Sequence, residues 1–300
     1  MSTSDVLTLP VAQPVPLPVG TPRRRRQRCA LGAVLAEAQM AEVAAFDFAG
    51  GTAAVFSTSS PNKLTPNEDV AAVLPTSTNC GILAVADGLG GHAGGEQASR
   101  LAIEAIQKAI QDAIQAVEGG EPEQLRSAIL NGVEAANREV CQLGLGAATT
   151  LALVEIRDRT IRPYHVGDSA ILLTGQRGKL KLQTIAHSPI GYAVEAGLID
   201  EKEAIHHENR HVISNVIGSD QMRIEIGSPT EMARRDTLIL ASDGLLDNLL
   251  PSEVVDIVRS GPLDEAVAYL VSEAQRRMAT SGGNAPSKPD DLTVIAYRPN

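Results

Sequence analysis

Residues 82–94 read ILAVADGLGGHAG: an apolar run ends on Asp87, and glycines around a single histidine follow. The apolar run predicts a buried strand, and the glycines predict a turn after it. The stretch from Gly88 to Ala93 also fits the G-x-G-x-x-A form of the dinucleotide-binding fingerprint. Either the glycines form a loop for the phosphates of a cofactor, or the aspartate in front of them is the functional group.

The segments after this stretch exclude the dinucleotide interpretation. That fingerprint needs one helix and then a second parallel strand, which ends in an acidic residue about 20 positions further on. Here apolar residues recur at three- and four-residue steps over residues 98–117 and again over 123–143, which predicts two successive helices. No strand is predicted before Ala148, so Asp87 carries more weight than the glycines.

Strand patterns return after the second helix, and the order of elements favours the α+β class. Residues 148–185 resemble four strands of an antiparallel meander with tight turns. Pairs of helices separated by blocks of strands predict helices that cover a largely antiparallel core. The expected strands are 51–59, 69–75, 82–86, 148–156, 160–167, 169–175, 179–185, 236–242 and 292–299, and two more helices are expected within 251–278.

The composition is that of a globular protein with an acidic body. Of the 300 residues, 43% are hydrophobic and 21% are charged, and the formal net charge is -10. This charge argues against nucleic acid or a membrane as the main partner. It would also repel an anionic substrate unless bound cations reverse the local field.

We expect two regions, a tail at 1–41 and a folded domain at 42–300. The tail is rich in proline and arginine and has no amphipathic period, so a flexible segment is expected. Cys29, Cys80 and Cys141 include no C-x-x-C pair, which favours a reducing compartment and argues against a thiolate zinc site. No apolar stretch approaches the ~20 residues that span a bilayer, so a cytoplasmic protein is expected.

Other acidic residues follow the pattern of Asp87 and stand where predicted strands begin or end. A single Asp-Gly pair after a strand is usually only a turn, so the hypothesis depends on the set and its order. Carboxylates that converge without cations raise one another's pKa, and oxygen ligands with few cysteines or histidines favour Mg²⁺ or Mn²⁺ over zinc. The set is Glu68, Asp69, Asp87, Asp168, Asp243 and Asp290.

These motifs, in their order, resemble the metal-dependent Ser/Thr protein phosphatase family of the 2C type, especially its bacterial members. The similarity covers about residues 45–298. It implies a four-layer α-β-β-α sandwich, in which two antiparallel sheets are flanked by helix pairs. The motifs are N-E-D at 67–69, A-D-G-x-G-G-H-x-G-G-E-x-A-S at 86–99, G-A-A-T-T at 146–150, V-G-D-S at 166–169, H-S at 187–188, S-D-G-L-x-D at 242–247 and D-D-L-T-V at 290–294.

The resemblance implies a centre of two ions, Mg²⁺ or Mn²⁺, with a weaker third. Asp87 matches the carboxylate that bridges both ions, and the carbonyl of Gly88 matches a backbone ligand of one. In the family the ions activate a water that attacks the phosphoester directly, which makes Asp87 and Asp243 the catalytic candidates. The other matched ligands are Glu68 and Asp69, direct or through water, Asp243 and Asp290 for the other ion, and Asp168 for the third.

Three positions depart from the family pattern. Many members have a histidine after the Asp-Gly, where this chain has Leu89; His92 is a candidate acid but is better explained as a loop-structuring residue. Leu64 stands where the family commonly has a phosphate-binding arginine. The adjacent Lys63 is the candidate for binding the substrate, although a lysine lacks the bidentate fork of an arginine. Asp291 replaces a frequent asparagine.

Residues 189–209 match the flap of the family, and we name this segment the flap. Loops on a rigid scaffold carry variation, so we expect substrate selection here. His206, His207 and His211 are of a type that binds zinc, but a solvated flap surface is the favoured interpretation.

The sequence therefore predicts a cytoplasmic, Mg²⁺- or Mn²⁺-dependent phosphatase that acts on phosphoserine and phosphothreonine in proteins. Phosphorylated proteins are the expected partners, opposite a Ser/Thr kinase, and a monomer is expected. Two alternatives stay open: a metal-binding module that recognises a phosphoprotein without turnover, and a small-molecule phosphoesterase with the same fold.

Overall fold

The computed structural model describes residues 27–28, 32–89, 93–116, 122–144, 146–280 and 286–300. The strands in these ranges are β1 (Gln27–Arg28), β2 (Ala33–Ala36), β3 (Ala44–Phe48), β4 (Gly51–Thr58), β5 (Asp69–Ser77), β6 (Cys80–Leu89), β7 (Ala148–Thr149), β8 (Leu151–Arg157), β9 (Thr160–Val166), β10 (Ala170–Thr174), β11 (Leu180–Gln183), β12 (Glu225–Ile226), β13 (Thr230–Glu231), β14 (Thr237–Ala241) and β15 (Leu292–Pro299). The helices are α1 (Ala93–Ala116), α2 (Pro122–Leu143), α3 (Pro189–Glu195), α4 (Glu201–Ala204), α5 (Asp243–Leu246), α6 (Pro251–Val258) and α7 (Leu263–Met278).

The strands form two sheets, and the neighbours within each sheet run antiparallel with one exception. The first sheet has the order β1-β3-β4-β15-β14-β10-β11. The second has the order β12-β9-β8-β6-β5-β2, with β7 beside β6 and β13 beside β9. The exception is β1, which pairs parallel with β3. The prediction of an α+β fold with two antiparallel sheets is confirmed.

Three apolar clusters hold four layers together. Helices α1 and α2 pack on the outer face of the second sheet, and α6 and α7 pack on the outer face of the first. The third cluster fills the space between the two sheets. Among the described helices, none combines the length and the apolar character that a membrane span requires.

Strand β6 shows why an unbroken apolar run forms a strand here. Successive side chains of a strand point to opposite faces, so a strand that is buried on both faces has no polar side. Ile82 and Ala84 contact the helix layer, while Leu83 and Val85 face the other sheet. Burial decreases from Asp87 onward, and there the apolar run ends.

The chain passes from one sheet to the other between β9 and β10, so the four strands of residues 148–185 are not one meander. Strands β8 and β9 pair in the second sheet, whereas β10 and β11 pair in the first. Gly167 makes the crossing with a φ of 100°. A Cβ atom there would lie 2.7 Å from the side chain of Thr150, so glycine is required. The expected meander was wrong because a tight turn can also connect two sheets, and Asp168 lies at this crossing.

The fold begins before residue 42, the boundary expected between the tail and the folded domain. Strand β2 pairs antiparallel with β5, with Ala33 opposite Val73 and Ala36 opposite Val70. Strand β1 also lies within the expected tail and adds to the edge of the first sheet. Four apolar residues are too short to show a period, so only the partner strand identifies β2. Residues 1–26 and 29–31 of the expected tail lie outside the described residues.

Candidate metal centre

Five aspartates converge beside the strand ends. Asp69 and Asp87 lie directly opposite each other in the β5–β6 pair. Asp243 is the first residue of α5, two residues after the end of β14, and Asp290 comes two residues before β15. Burial raises the pKa of Asp87 well above its usual value. The charges of the other four, Asp69, Asp243, Asp168 and Asp290, raise it further.

The other members of the cluster show the same electrostatic conflict. Burial, and then the charges of Asp243 and Asp247, raise the pKa of Asp168 to about 8. Burial is also the main cause of the raised pKa of Asp69, Asp243 and Asp290. These carboxyl groups therefore ionise together near neutral pH only when a cation compensates their charge.

Two carboxylate oxygens of the cluster are buried without a hydrogen-bond partner in the described part of the chain. They are Oδ1 of Asp69 and Oδ1 of Asp168. The second oxygen of Asp69 accepts a hydrogen bond from the Ser242 hydroxyl at 2.7 Å, which holds its side chain in place. An oriented, buried carboxylate oxygen without a donor suits a hard divalent cation. The residues present thus fit a metal centre.

Gly88 lies where two backbone segments come unusually close. A Cβ atom at this position would lie 2.2 Å from the Gly95 carbonyl oxygen and 2.8 Å from the Glu68 carbonyl oxygen. The Gly88 N–H donates to that Glu68 oxygen at 3.2 Å. Only glycine permits this approach, which brings Glu68 and the start of α1 beside the Asp87 backbone.

The Thr-Thr pair of the G-A-A-T-T motif fixes the backbone of Asp87. The Asp87 N–H donates to Oγ1 of Thr150 at 3.1 Å, and the Asp87 carbonyl oxygen accepts from Oγ1 of Thr149 at 2.8 Å. The Thr150 N–H donates to the same carbonyl at 2.9 Å. Three hydrogen bonds therefore orient the residue at the middle of the cluster.

Lys63 is held between two acids. Its Nζ lies 2.7 Å from Oε2 of Glu68 and 2.6 Å from Oδ2 of Asp291. Burial alone would lower the pKa of Lys63, but these two carboxylates outweigh it and raise the pKa. Oδ2 of Asp291 also accepts from the Glu68 N–H at 2.7 Å, so Lys63 and Asp291 together position Glu68. The adjacent Leu64 side chain is fully exposed.

A comparison with known proteins identifies the family. The family model described as protein phosphatase 2C matches residues 58–279. The chain belongs to this family. Protein phosphatase PhpP of Streptococcus pneumoniae is 32% identical over 228 residues, which cover 73% of this chain and 86% of that protein.

Solved phosphatases share the fold over most of the chain. A serine/threonine phosphatase of S. agalactiae has 25% sequence identity and a TM-score of 0.69, and the match covers 83% of this chain and 99% of that one. The catalytic domain of serine/threonine protein phosphatase PstP was solved in complex with two manganese ions. It is 26% identical, with a TM-score of 0.62, and the match covers 82% of this chain and 96% of that one.

The structure of this protein phosphatase 2C member adds two residues to the centre that were not predicted from the sequence, Asp247 and Lys288. Nζ of Lys288 lies 2.6 Å from Oδ2 of Asp247 and 2.9 Å from Oδ2 of Asp243. Burial alone would lower the pKa of Lys288, but the surrounding acids raise it above its usual range. Asp247 could have been predicted from the sequence, because it lies four residues after Asp243 and therefore on the same face of a helix. Lys288 stands only two residues before Asp290, but it is 45 residues from Asp243, so its contact with that acid had no signal in the sequence.

A cavity of about 310 Å³ separates the flap from the metal centre. It is lined by Asp168, Asp243 and Asp247 of the centre and by residues of the flap, which include Ile190 and Val194 of α3. Ser188 caps α3, since its hydroxyl accepts from the Gly191 N–H at 2.9 Å. Residues of the flap and acids of the centre therefore line one common space.

His206, His207 and His211 are not brought together as a metal site within the described ranges. The histidines that do meet are His165 and His187, with Glu225 beside them. Nδ1 of His187 accepts from the Gly167 N–H at 3.0 Å, so its Nε2 carries the proton and donates to Glu225 at 3.0 Å. This tautomer leaves no lone pair on Nε2 for a metal. His187 instead stabilises the turn between the two sheets, which carries Asp168.

The remaining predicted site residue, His92, lies outside the described residues, as do Gly90 and Gly91. The structure describes Leu89 at the end of β6 and resumes at α1. The suggested acid role of His92 thus stays a prediction.

Proposed function

We propose that this member of the protein phosphatase 2C family is a Mg²⁺- or Mn²⁺-dependent enzyme. It hydrolyses phosphoserine and phosphothreonine in proteins by direct attack of water. The observation that carries this proposal is the position of Asp87 among four other aspartates, where burial and then their charges raise its pKa. Membership of the family supports the reaction, and the relatives named above are protein or serine/threonine phosphatases.

The chain's own residues divide into two sides of one centre. Asp87 belongs to both sides, Gly88 and the acids Glu68 and Asp69 belong to one, and Asp243 and Asp290 belong to the other. Asp168 lies at the crossing between the sheets and serves a third, weaker ion. When bound, such ions lower the pKa of a shared water and neutralise charge on the phosphoryl group. The neighbour solved with two manganese ions supports a centre of two ions.

Lys63 has two roles in the proposed function. It holds Glu68 through an ion pair of 2.7 Å, and it is the cation nearest in sequence to the position of the missing arginine at Leu64. An ammonium that is shared with Glu68 and Asp291 offers less positive charge to a phosphate than a free arginine does. We therefore propose that phosphate is bound mainly at the metal centre, with Lys63 as a weak contributor.

The proposed substrates are phosphorylated proteins, opposite a Ser/Thr kinase, and the proposed state is a cytoplasmic monomer. The cavity of about 310 Å³ is lined both by acids of the centre and by apolar residues of the flap. We propose that the residues flanking the phosphorylated one are selected there.

The proposal is tested by phosphate release from a phosphothreonine peptide with Mn²⁺, with and without a chelator. Asp243→Asn is the test variant, and Asp256→Asn is its matched control, because Asp256 is exposed on α6 and pairs only with Arg259 in the described chain. Hydrolysis should stop in the chelator and in Asp243→Asn, and continue in the control. Full activity in the chelator would contradict metal dependence.

The same assay separates the two alternatives. Tight binding of the phosphopeptide without phosphate release would indicate a recognition module. Faster turnover of nucleotide or sugar phosphates than of phosphopeptides would indicate a small-molecule phosphoesterase. The complete set of acids favours catalytic turnover. The exposed Leu64 in place of an arginine favours a weakly active enzyme.

A further inference from the structure

The ammonium group of Lys288 lies inside the acidic centre. Its Nζ is 2.9 Å from Oδ2 of Asp243, 2.6 Å from Oδ2 of Asp247 and 3.0 Å from Oδ2 of Asp290. Each of these acids offers an oxygen, and the three oxygens lie within 4.8 Å of one another, a spacing that suits a cation. The positively charged side chain of Lys288 thus lies where the three acids could hold a cation.

The backbone of Lys288 is fixed, so the ammonium is delivered to this place by the fold. The Lys288 N–H donates to Oδ1 of Asn248 at 2.9 Å, and its carbonyl accepts from Nδ2 of Asn248 at 2.8 Å. Asn248 is fully buried and also donates to the Gly244 carbonyl, one residue after Asp243. A tether of this kind gives the ammonium a high effective concentration at the acids.

The two sides of the centre differ in whether a lysine of the protein pairs with their acids. In the described part of the chain, no lysine or arginine forms an ion pair with Asp69 or Asp87, and Lys63 pairs with Glu68 and Asp291 instead. Two acids of the other side, Asp243 and Asp290, both pair with Lys288. A divalent ion bound by Asp243 and Asp290 would lie close to this ammonium, and because the two cations repel each other the ammonium opposes the binding of the ion.

We propose that Lys288 is a built-in competitor for one of the two ions, so that the ion on the Asp243–Asp290 side binds more weakly than the ion on the Asp69–Asp87 side. This inference rests on the proposed metal centre. Asp247 is not a proposed ligand and makes the shortest of the three contacts, so it retains the ammonium when the ion takes the other two acids. Lys288 thereby determines the metal concentration at which the centre is complete.

Calorimetric titration of the metal-free full chain with Mn²⁺ tests this inference without measuring activity. Lys288→Gln removes the charge and keeps a polar side chain that is only one atom shorter, and Lys288→Met is a second neutral variant in case one does not fold. Each should tighten the weaker binding event by about tenfold or more, since the ion no longer has to break ion pairs. The tighter event should change by less than about threefold, because its acids do not contact Lys288.

Lys181→Gln is the matched control. Lys181 pairs with Asp236 at the edge strand β11 and not with the centre, so this variant has the same change in net charge. Both Mn²⁺ constants should stay near those of the unchanged protein. An unchanged weaker constant in a folded Lys288 variant, or equal tightening in Lys181→Gln, overturns the role of Lys288 and leaves the proposed function standing. A chain that binds no Mn²⁺ at all would contradict the metal centre itself.

Discussion

Asp69 and Asp87 are direct partners across the β5–β6 pair, with their Cα atoms in register. Like charges that face each other on neighbouring strands destabilise a sheet, and burial increases the cost. Burial, followed by the charges of neighbouring acids, raises the pKa of Asp87. The conflict between the two carboxylates disappears when a cation lies between them. The residues that favour metal binding therefore weaken the metal-free fold.

Replacing Asp87 with asparagine should separate stability from activity. Asp87→Asn removes one buried charge, so the melting temperature in chelator should rise by about 2–4 °C, as expected for about 1 kcal/mol in a chain of this size. Phosphopeptide hydrolysis should fall about a thousandfold or more, because the group shared by both sides of the centre is lost. Thermal melts and initial rates measure the two effects. With Asp256→Asn as the control, a lower melting temperature together with full activity would refute the assignment.

The metal-free protein should lose stability as the pH rises. The pKa of Asp168 is about 8 in the folded chain, against about 3.9 in an unfolded one. A folded pKa above the unfolded one gives a contribution that is fully present below about pH 4 and is lost as the pH rises through about 8. Thermal melts in chelator should therefore show a melting temperature that falls between pH 5 and pH 8.

Two comparisons test the origin of this slope. Saturating Mn²⁺ should remove the fall, because the ion binds the ionised carboxylates and its affinity grows with pH. Asp168→Asn should reduce the fall in chelator, since one titrating group is gone. A melting temperature that rises with pH in chelator would show that other groups dominate.

The local patterns of the sequence were sufficient for most of the strands and for the acids. An apolar run that ends on an acid, as in residues 82–87, encodes both the buried strand and the position of the charge. The order of the motifs then identified the sandwich, which the comparisons bear out. Pairing between elements was not encoded in this way. A Gly-Asp turn can join two strands of one hairpin or two strands of different sheets. Here it joins different sheets, with Gly167 packed closely against Thr150, and the sequence does not show this contact.

Contacts between residues that are far apart in the sequence could also not be predicted from it. Lys288 is 41 residues from Asp247, and neither neighbourhood indicates the other. Strand β2 needed its partner β5 to be identified, since four apolar residues have no measurable period. The sequence therefore supplied the list of acids, while the fold supplied the cation among them.

An arginine at position 64 should strengthen substrate binding. Leu64 is fully exposed, so Leu64→Arg costs no packing, and it adds a guanidinium beside the ion pairs of Lys63. The KM for a phosphothreonine peptide should fall about three- to tenfold at low salt, with a smaller change in kcat, because a bidentate partner for phosphate is gained. Steady-state rates at two salt concentrations measure this, and the gain should shrink at high salt. Tyr269→Arg on α7 adds the same charge at another exposed site; an equal fall in KM there would show a general charge effect.

Adding one methyl group at Gly88 should disrupt the centre, whereas the same change at Gly94 should be tolerated. A Cβ atom at Gly88 would lie 2.2 Å from the Gly95 carbonyl oxygen, so β6 and the start of α1 must move apart. At Gly94 the nearest atom is the Ala147 side chain at 3.4 Å, an ordinary contact. Gly88→Ala should weaken Mn²⁺ binding at least about tenfold and lower the melting temperature, while Gly94→Ala should keep both or add a little helix stability. Calorimetry and thermal melts check this pair, and wild-type Mn²⁺ affinity in Gly88→Ala would contradict a need for the close backbone approach.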